Sequence, residues 1–239
     1  MFKYIKKNYD AGILLEFVRS IPNLNTKDFL YEIDIDKTKH VKNSINTPSG
    51  DPFYDPWQIK EEYKNTPLGE CLDMLGPIGE ARLVTLEPGT CYYKHADIDD
   101  RYHLTLTGDN SFMIDIEEDK IFRTSVDNKF YLLDAGKVHT AVNAGPNRRL
   151  QLVVRKLLGK NYIKNKILIK ITLDGKVDYT RHLFDNHFSK WANKQVKLGN
   201  LNNFKTDGRF SVSFELSSHL EQELRLICKI VNVPIVVKT

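Results

Sequence analysis

Residues 81–107, ARLVTLEPGTCYYKHADIDDRYHLTLT, hold two runs rich in β-branched, aromatic and leucine side chains, separated by the turn signal Pro88-Gly89 and by an acidic segment. Runs of this kind read as strands. In an extended chain alternate side chains share a face, so His95 and Asp97, at the end of the first run, project the same way. A second region, residues 129–143 (KFYLLDAGKVHTAVN), carries His139 just past the turn Asp134-Ala135-Gly136. Should the two regions be neighbours, two imidazoles and one carboxylate converge. That set of ligands suits non-haem Fe(II) and leaves coordination positions open for a co-substrate and dioxygen.

The same texture continues outward through SFMIDIEE (111–118), KIFRTS (120–125) and RRLQLVVRKL (148–157). Closely spaced strands broken by Pro-Gly, Gly-Asp and Asp-Ala-Gly predict an antiparallel barrel or sandwich. The alternation at Leu104 and Leu106, and at Phe112, Ile114 and Ile116, predicts one buried face and one wetter face. Before residue 80 the chain reads as an approach layer: an extended or helical segment DFLYEIDID (28–36), a Pro/Gly/Asp-rich stretch TPSGDPFYDPW (47–57), and a helix over Trp57–Leu75 broken at Thr66 by Pro67.

Beyond residue 158 the pattern changes. KILIKITLD (166–174) reads as a strand ending at the Asp174-Gly175 turn. Tyr179–Val196 reads as a helix with a stripe of Leu183, Phe184, Phe188 and Trp191. Arg209–Leu216 reads as a strand, SSHLEQELRLICKI (217–230) as a helix with a serine N-cap, and VPIVVK (233–238) as a closing strand. Charge divides at the same place, with 15 basic against 7 acidic residues over 156–239, or +8, and 20 against 24 over 1–155, or −4. Two domains are therefore expected, 1–158 and a small basic α+β domain at 159–239.

Composition narrows the class further. A charged content of 28% with 41% hydrophobic residues is ordinary for a soluble globular chain. Cys71, Cys91 and Cys228 lack metal-type spacing and make no disulfide framework, which points to a reducing compartment. With no long apolar segment, a cytoplasmic protein without a membrane partner is expected. There is no phosphate-binding loop, dinucleotide fingerprint or nucleic-acid motif, and a nucleic-acid partner is not expected.

Taken together, LEPGTCYYKHADIDDRYHLTL and YLLDAGKVHTAVNAGPNRRLQLVV resemble the aspartyl/asparaginyl β-hydroxylase superfamily of Fe(II)/2-oxoglutarate oxygenases, which includes proline hydroxylases, over roughly residues 80–156. The resemblance implies a mainly β fold, a double-stranded β-helix (jelly-roll, cupin-like) with flanking N-terminal helices and the small C-terminal α+β domain. It implies His95, Asp97 and His139 as iron ligands. Arg149 would clamp the distal carboxylate of 2-oxoglutarate, and Arg101 and His103 would help hold the end nearest the metal. Thr85, Tyr93 and Asn143 are further candidate lining residues. Arginine suits the remote carboxylate because its planar fork donates two charge-assisted bonds.

The expected activity is hydroxylation of an amino acid, free or as a peptide or protein side chain, with dioxygen consumed and succinate and carbon dioxide released. Asp97 slightly favours a small-molecule substrate, since the proline-hydroxylating members carry that carboxylate and some members acting on protein side chains lack it. Two alternatives stand beside this: a cupin-like metal-binding barrel with non-oxidative chemistry, and a binding protein that uses its basic C-terminal domain.

Overall fold

Strand formation in residues 81–155 follows the apolar runs closely, and every pairing is antiparallel. The structure, a computed structural model, describes residues 2–21, 44–160, 163, 165–172, 178–206, 211–231, 233 and 235–238. The chain divides into two compact units, one of Met1–Lys94, Asp100–Asp134 and His139–Leu157, the other of His95–Asp99, Ala135–Val138 and Leu158–Thr239.

The first unit contains β1 (Phe2–Asn8), β2 (Asn46–Pro48), β3 (Trp57–Ile59), β4 (Ala81–Leu86), β5 (Thr90–Cys91), β6 (Arg101–Thr107), β7 (Ser111–Asp115), β8 (Lys120–Arg123), β9 (Lys129–Leu133), β10 (His139–Asn143) and β11 (Arg149–Arg155). A five-stranded sheet has the order β1-β9-β6-β11-β4, a four-stranded sheet the order β5-β10-β7-β8, and β2-β3 form a short ladder. In the five-stranded sheet Leu152 pairs with Leu83 on one side and Leu104 on the other. All three are fully buried. Ala81, Leu106, Phe130, Leu150 and Val154 belong to the same apolar cluster.

Two helices supply most of the rest of that cluster, with Ile45 and Ile78 completing it. Helix α1 (Ala11–Ser20) starts at Asp10, whose carboxylate accepts from the amides of Gly12 and Ile13, and it buries Ala11, Leu14 and Val18. Helix α2 (Pro67–Asp73) starts at Thr66, with Pro67 in the first turn where no amide is needed, and buries Leu68, Cys71 and Leu72. Leu14 and Leu72 are both at 0% exposure, so truncating either to alanine should cost about 2–5 kcal/mol.

The second unit holds β12 (Lys166–Thr172), α3 (Asp178–Lys197), β13 (Leu201–Thr206), β14 (Ser211–Ser217), α4 (Glu221–Ile230) and β15 (Ile235–Lys238), with sheet order β13-β14-β12-β15. Its core is aromatic. Phe188 of α3 lies 5.5 Å from Phe214 and 6.4 Å from Phe204 between ring centroids, with Trp191 beside it at 6.0 Å. Among the described residues no helix is long and apolar enough to cross a membrane.

Several expectations are corrected. The mainly β, double-stranded β-helix (jelly-roll, cupin-like) fold is not what the strands build: the fold is mixed α/β, with four separate antiparallel sheets among the described residues and none of them closed. Closure needs a continuous ladder, but the outer strands β1 and β4 pair only inward, and β5 is two residues long. Trp57–Leu75 is not one broken helix. It forms β3, then a 3-10 turn at Glu61–Tyr63, and becomes α-helical only after Thr66.

The buried face of β7 is the reverse of the expected one. Ser111, Met113 and Asp115 are inside, and Ile116 is exposed. The polar pair is accommodated by local bonds, Ser111 Oγ to the Gly108 carbonyl at 2.8 Å and Asp115 Oδ1 accepting from the Glu117 and Glu118 amides at 3.1 Å. Strand β13 was not expected, and Ser217 makes no side-chain cap bond at the 3-10 turn that leads into α4. The segment DFLYEIDID and the Asp174-Gly175 turn lie outside the described residues.

Candidate metal centre

An antiparallel register carries the first histidine toward the second. Thr90 pairs with Asn143 and Cys91 with Val142. The Tyr92 amide then donates to the Ala141 carbonyl at 3.0 Å, and the Asp97 amide to the Ala135 carbonyl at 2.7 Å. Along this register the segment KHAD runs beside the turn that opens β10. As a result His95, Asp97 and His139 each offer one ligand atom, and these atoms lie within 4.8 Å of one another. His95 Nε2 is 3.7 Å from Asp97 Oδ2, and the side chains of both are partly exposed. His139 is buried. The cluster can coordinate a metal ion, and its mixed nitrogen and oxygen donors match a borderline divalent cation better than a hard one.

The face of the five-stranded sheet opposite the apolar cluster carries a buried polar group among apolar neighbours such as Val153 and Leu86. Arg149 and Gln151 alternate along β11, and the pairing of Gln151 with Thr105 and of Val153 with His103 puts all these side chains on that face. Arg149 is 1% exposed, and neither Nε nor Nη1 has a hydrogen-bond partner. Burial pulls its guanidinium below the ordinary value, opposed by the electrostatic effect of Tyr92 and a hydrogen bond to it. The guanidinium carbon sits 5.7 Å from the Tyr92 ring centre. Gly108, at φ +101°, allows this placement, since a Cβ there would stand 2.6 Å from the Arg149 Cα.

His103 is also buried, and its pKa is pushed down to about 3, first by desolvation and then by the Arg149 charge. It is neutral at physiological pH. Its Nδ1 faces Gln151 Oε1 at 3.4 Å, and the Gln151 amide donates to Thr105 Oγ1 at 3.0 Å. The His103 Nε2 is buried without a partner. Arg101 acts electrostatically on both His103 and the buried Glu80, whose carboxyl is lowered overall against the opposing effect of burial by Arg82, Arg155, Ser44 and Arg101.

The lining candidates separate. Thr85 is fully buried but shares its strand face with Ala81 and Leu83, so it points toward the apolar cluster and away from Arg149. Tyr93 is 86% exposed. The tyrosine near Arg149 is Tyr92, whose hydroxyl donates to the Thr85 carbonyl at 2.9 Å. Asn143 is consumed structurally, its amide donating to the Leu86 and Asn147 carbonyls. Gln151, on the same strand face as Arg149, and Tyr92, beside its guanidinium, were not among the sequence candidates. A polar residue two positions from Arg149 in an otherwise apolar strand was the available signal for Gln151.

No curated protein matches the chain. Among solved structures, a crystal structure of CapF with the inhibitor 3-isopropenyl-tropolone and one of the capsular polysaccharide assembling protein CapF from Staphylococcus aureus are similar over a small part. In both cases identity is 15%, the match covers 34% of this chain and 25% of the other, and the TM-score is 0.29. The chain thus spans about a quarter of the length of those proteins. Residues 68–157, the segment that carries His95, Asp97, His139 and Arg149, match the family model described as aspartyl/asparaginyl beta-hydroxylase, a partial match consistent with that superfamily.

Proposed function

We propose that this chain is a non-haem iron oxygenase that uses 2-oxoglutarate to hydroxylate an amino acid, free or within a peptide. The observation that carries the proposal is the buried Arg149, whose unpartnered N–H groups demand an anion, on a segment that also supplies two histidines and a carboxylate. A buried cation with unused donors is costly unless a ligand completes it. The remote carboxylate of 2-oxoglutarate has the charge and the planar, two-oxygen shape that the guanidinium fork accepts.

When bound, Fe(II) supplies the activation of dioxygen, with 2-oxoglutarate as the co-reductant that is decarboxylated to succinate. The chain's own residues place and shield. His95, Asp97 and His139 hold the metal and leave its remaining positions to small molecules. Arg149 fixes the co-substrate by its far end, with Tyr92 flanking the guanidinium. Arg101 keeps the polar face cationic, while neutral His103, backed by Gln151 and Thr105, offers a hydrogen-bonding nitrogen without adding charge. Phe2 lies edge-on to His103 at 5.7 Å and stacks on Tyr131 at 4.9 Å, limiting water at that end. Residues 159–239 form the accessory basic domain in this reading.

A second reading is a metal-dependent reaction without oxidation, favoured by a donor set that would equally accept zinc, manganese or cobalt. Anaerobic metal titration followed by a screen of free amino acids and short peptides separates the two. Succinate formation coupled to a gain of one oxygen on a substrate supports the oxygenase. Metal binding with no 2-oxoglutarate affinity supports the second reading, and no metal binding at all refutes both.

A further inference from the structure

Helix α3 brings one amide against both segments that carry metal-ligand candidates. Asn193 is 3% exposed. Its Nδ2 donates to the carbonyl of Ile98, the residue after Asp97, at 2.8 Å. Its carboxamide also packs close to Gly136, where a Cβ would stand 2.4 Å from both Asn193 Cγ and Oδ1 and 2.7 Å from Asn193 Cβ. Gly136 follows Ala135, whose carbonyl accepts the Asp97 amide at 2.7 Å. One side chain therefore touches the residue that follows Asp97 and the turn three residues before His139.

We propose that Asn193 is a positioning residue of the metal centre, which rests on the reading that His95, Asp97 and His139 bind a metal. The aim of the Asp97 carboxylate depends on the peptide planes that flank it. The Ile98 carbonyl lies in the second peptide plane after Asp97, so the Asn193 amide that holds it fixes the path of the chain as it leaves Asp97. Asparagine is short enough to reach that carbonyl from a helix, and glycine at 136 is the only residue without a Cβ to displace it. Partners that orient metal ligands in this way commonly change metal affinity about 10- to 100-fold when removed.

Cobalt(II), a divalent probe with a visible spectrum that reports ligand geometry, tests this in the full chain under anaerobic conditions. Asn193→Leu and Gly136→Ala should bind cobalt at least about tenfold more weakly than wild type, with altered visible bands. Phe204→Leu is the control for mere loosening of the unit, because Phe204 packs with Phe188 and Phe214; it should lower thermal stability and leave cobalt affinity and spectrum unchanged. Asn193→Asp keeps the side-chain shape and removes the donor, so it decides the matter if Asn193→Leu does not fold. Affinity and spectrum within twofold of wild type in the Asn193 and Gly136 variants would overturn the proposal while leaving the metal reading standing. Failure of wild type to bind cobalt or Fe(II) would overturn both.

Discussion

Replacing Arg149 with methionine should make the protein more stable without 2-oxoglutarate and abolish the stabilisation that 2-oxoglutarate gives wild type. Methionine keeps most of the buried stem. It removes two donors, Nε and Nη1, that have no partner, each costing about 1–3 kcal/mol. Against this stands the loss of the contact with Tyr92, about 1–3 kcal/mol for a charged hydrogen bond together with the ring interaction. Tyr92 is not stranded by the change, because its hydroxyl retains the Thr85 carbonyl. The net expectation is a gain of about 1–3 kcal/mol, in line with other replacements of buried charge by apolar side chains. Adding 2-oxoglutarate at about 100 times its Kd stabilises wild type by about 2.7 kcal/mol through mass action and should do nothing for the variant. Urea unfolding of both proteins, loaded with the same metal, with and without 2-oxoglutarate, measures all four states. A variant that is less stable than wild type in the absence of 2-oxoglutarate, yet gains as much from it, would refute the reasoning.

Alanine at His95, Asp97 or His139 should each cause a large loss of metal affinity in anaerobic titration, and unchanged binding in His139→Ala would remove it from the site. His103 has a folded pKa of about 3 against an ordinary 6.5, so its contribution is complete above 6.5 and is lost as pH falls toward 3, where the unfolded chain holds a proton the folded one lacks; His103→Gln should therefore show a shallower acid limb in a stability-versus-pH series. Gly108→Ala should destabilise the fold by more than about 1 kcal/mol, read by chemical denaturation, because it adds a side chain at positive φ and drives it into the Arg149 backbone. Of the cysteines, only exposed Cys91 should react with a thiol reagent near neutral pH, since burial raises Cys71 to about 12 and Cys228 to about 11; mass mapping of the labelled native protein checks this.

Chemistry was easier to read than face. The alternation of His95 with Asp97 and the turn before His139 are local signals, and a simple antiparallel register converts them into proximity. Thr85 and Tyr93 failed on the same physics: a period of two says which residues share a face but not which face is which. Thr85 follows Leu83 into the apolar cluster, and the tyrosine beside the arginine is one position earlier. Strand β13 was hidden because its pattern is broken by a bulge, with the register shifting between Asn202 and Lys205 and Asn203 at φ 49°, so that its buried residues, Leu201 and Phe204, are three apart. Strand β1 carries a similar irregularity at Lys6, φ 59°. Barrel closure is a property of the outer strands' free edges, which no single run of residues encodes.

The hydrogen bond from Asn193 to Ile98 spans 95 positions of chain. During synthesis the H-x-D segment and the Asp134-Ala-Gly136 turn emerge long before their partner does. Strand pairings such as Leu83 with Leu152 are complete once residue 155 is available, yet the Ile98 carbonyl beside Asp97 gains its Asn193 donor only once α3, residues 178–197, has been made. If Asn193 positions the Asp97 loop as proposed, that loop is set later than the strand pairings, and a nascent chain stopped short of α3 would carry β4, β6 and β11 paired but lack this hydrogen bond.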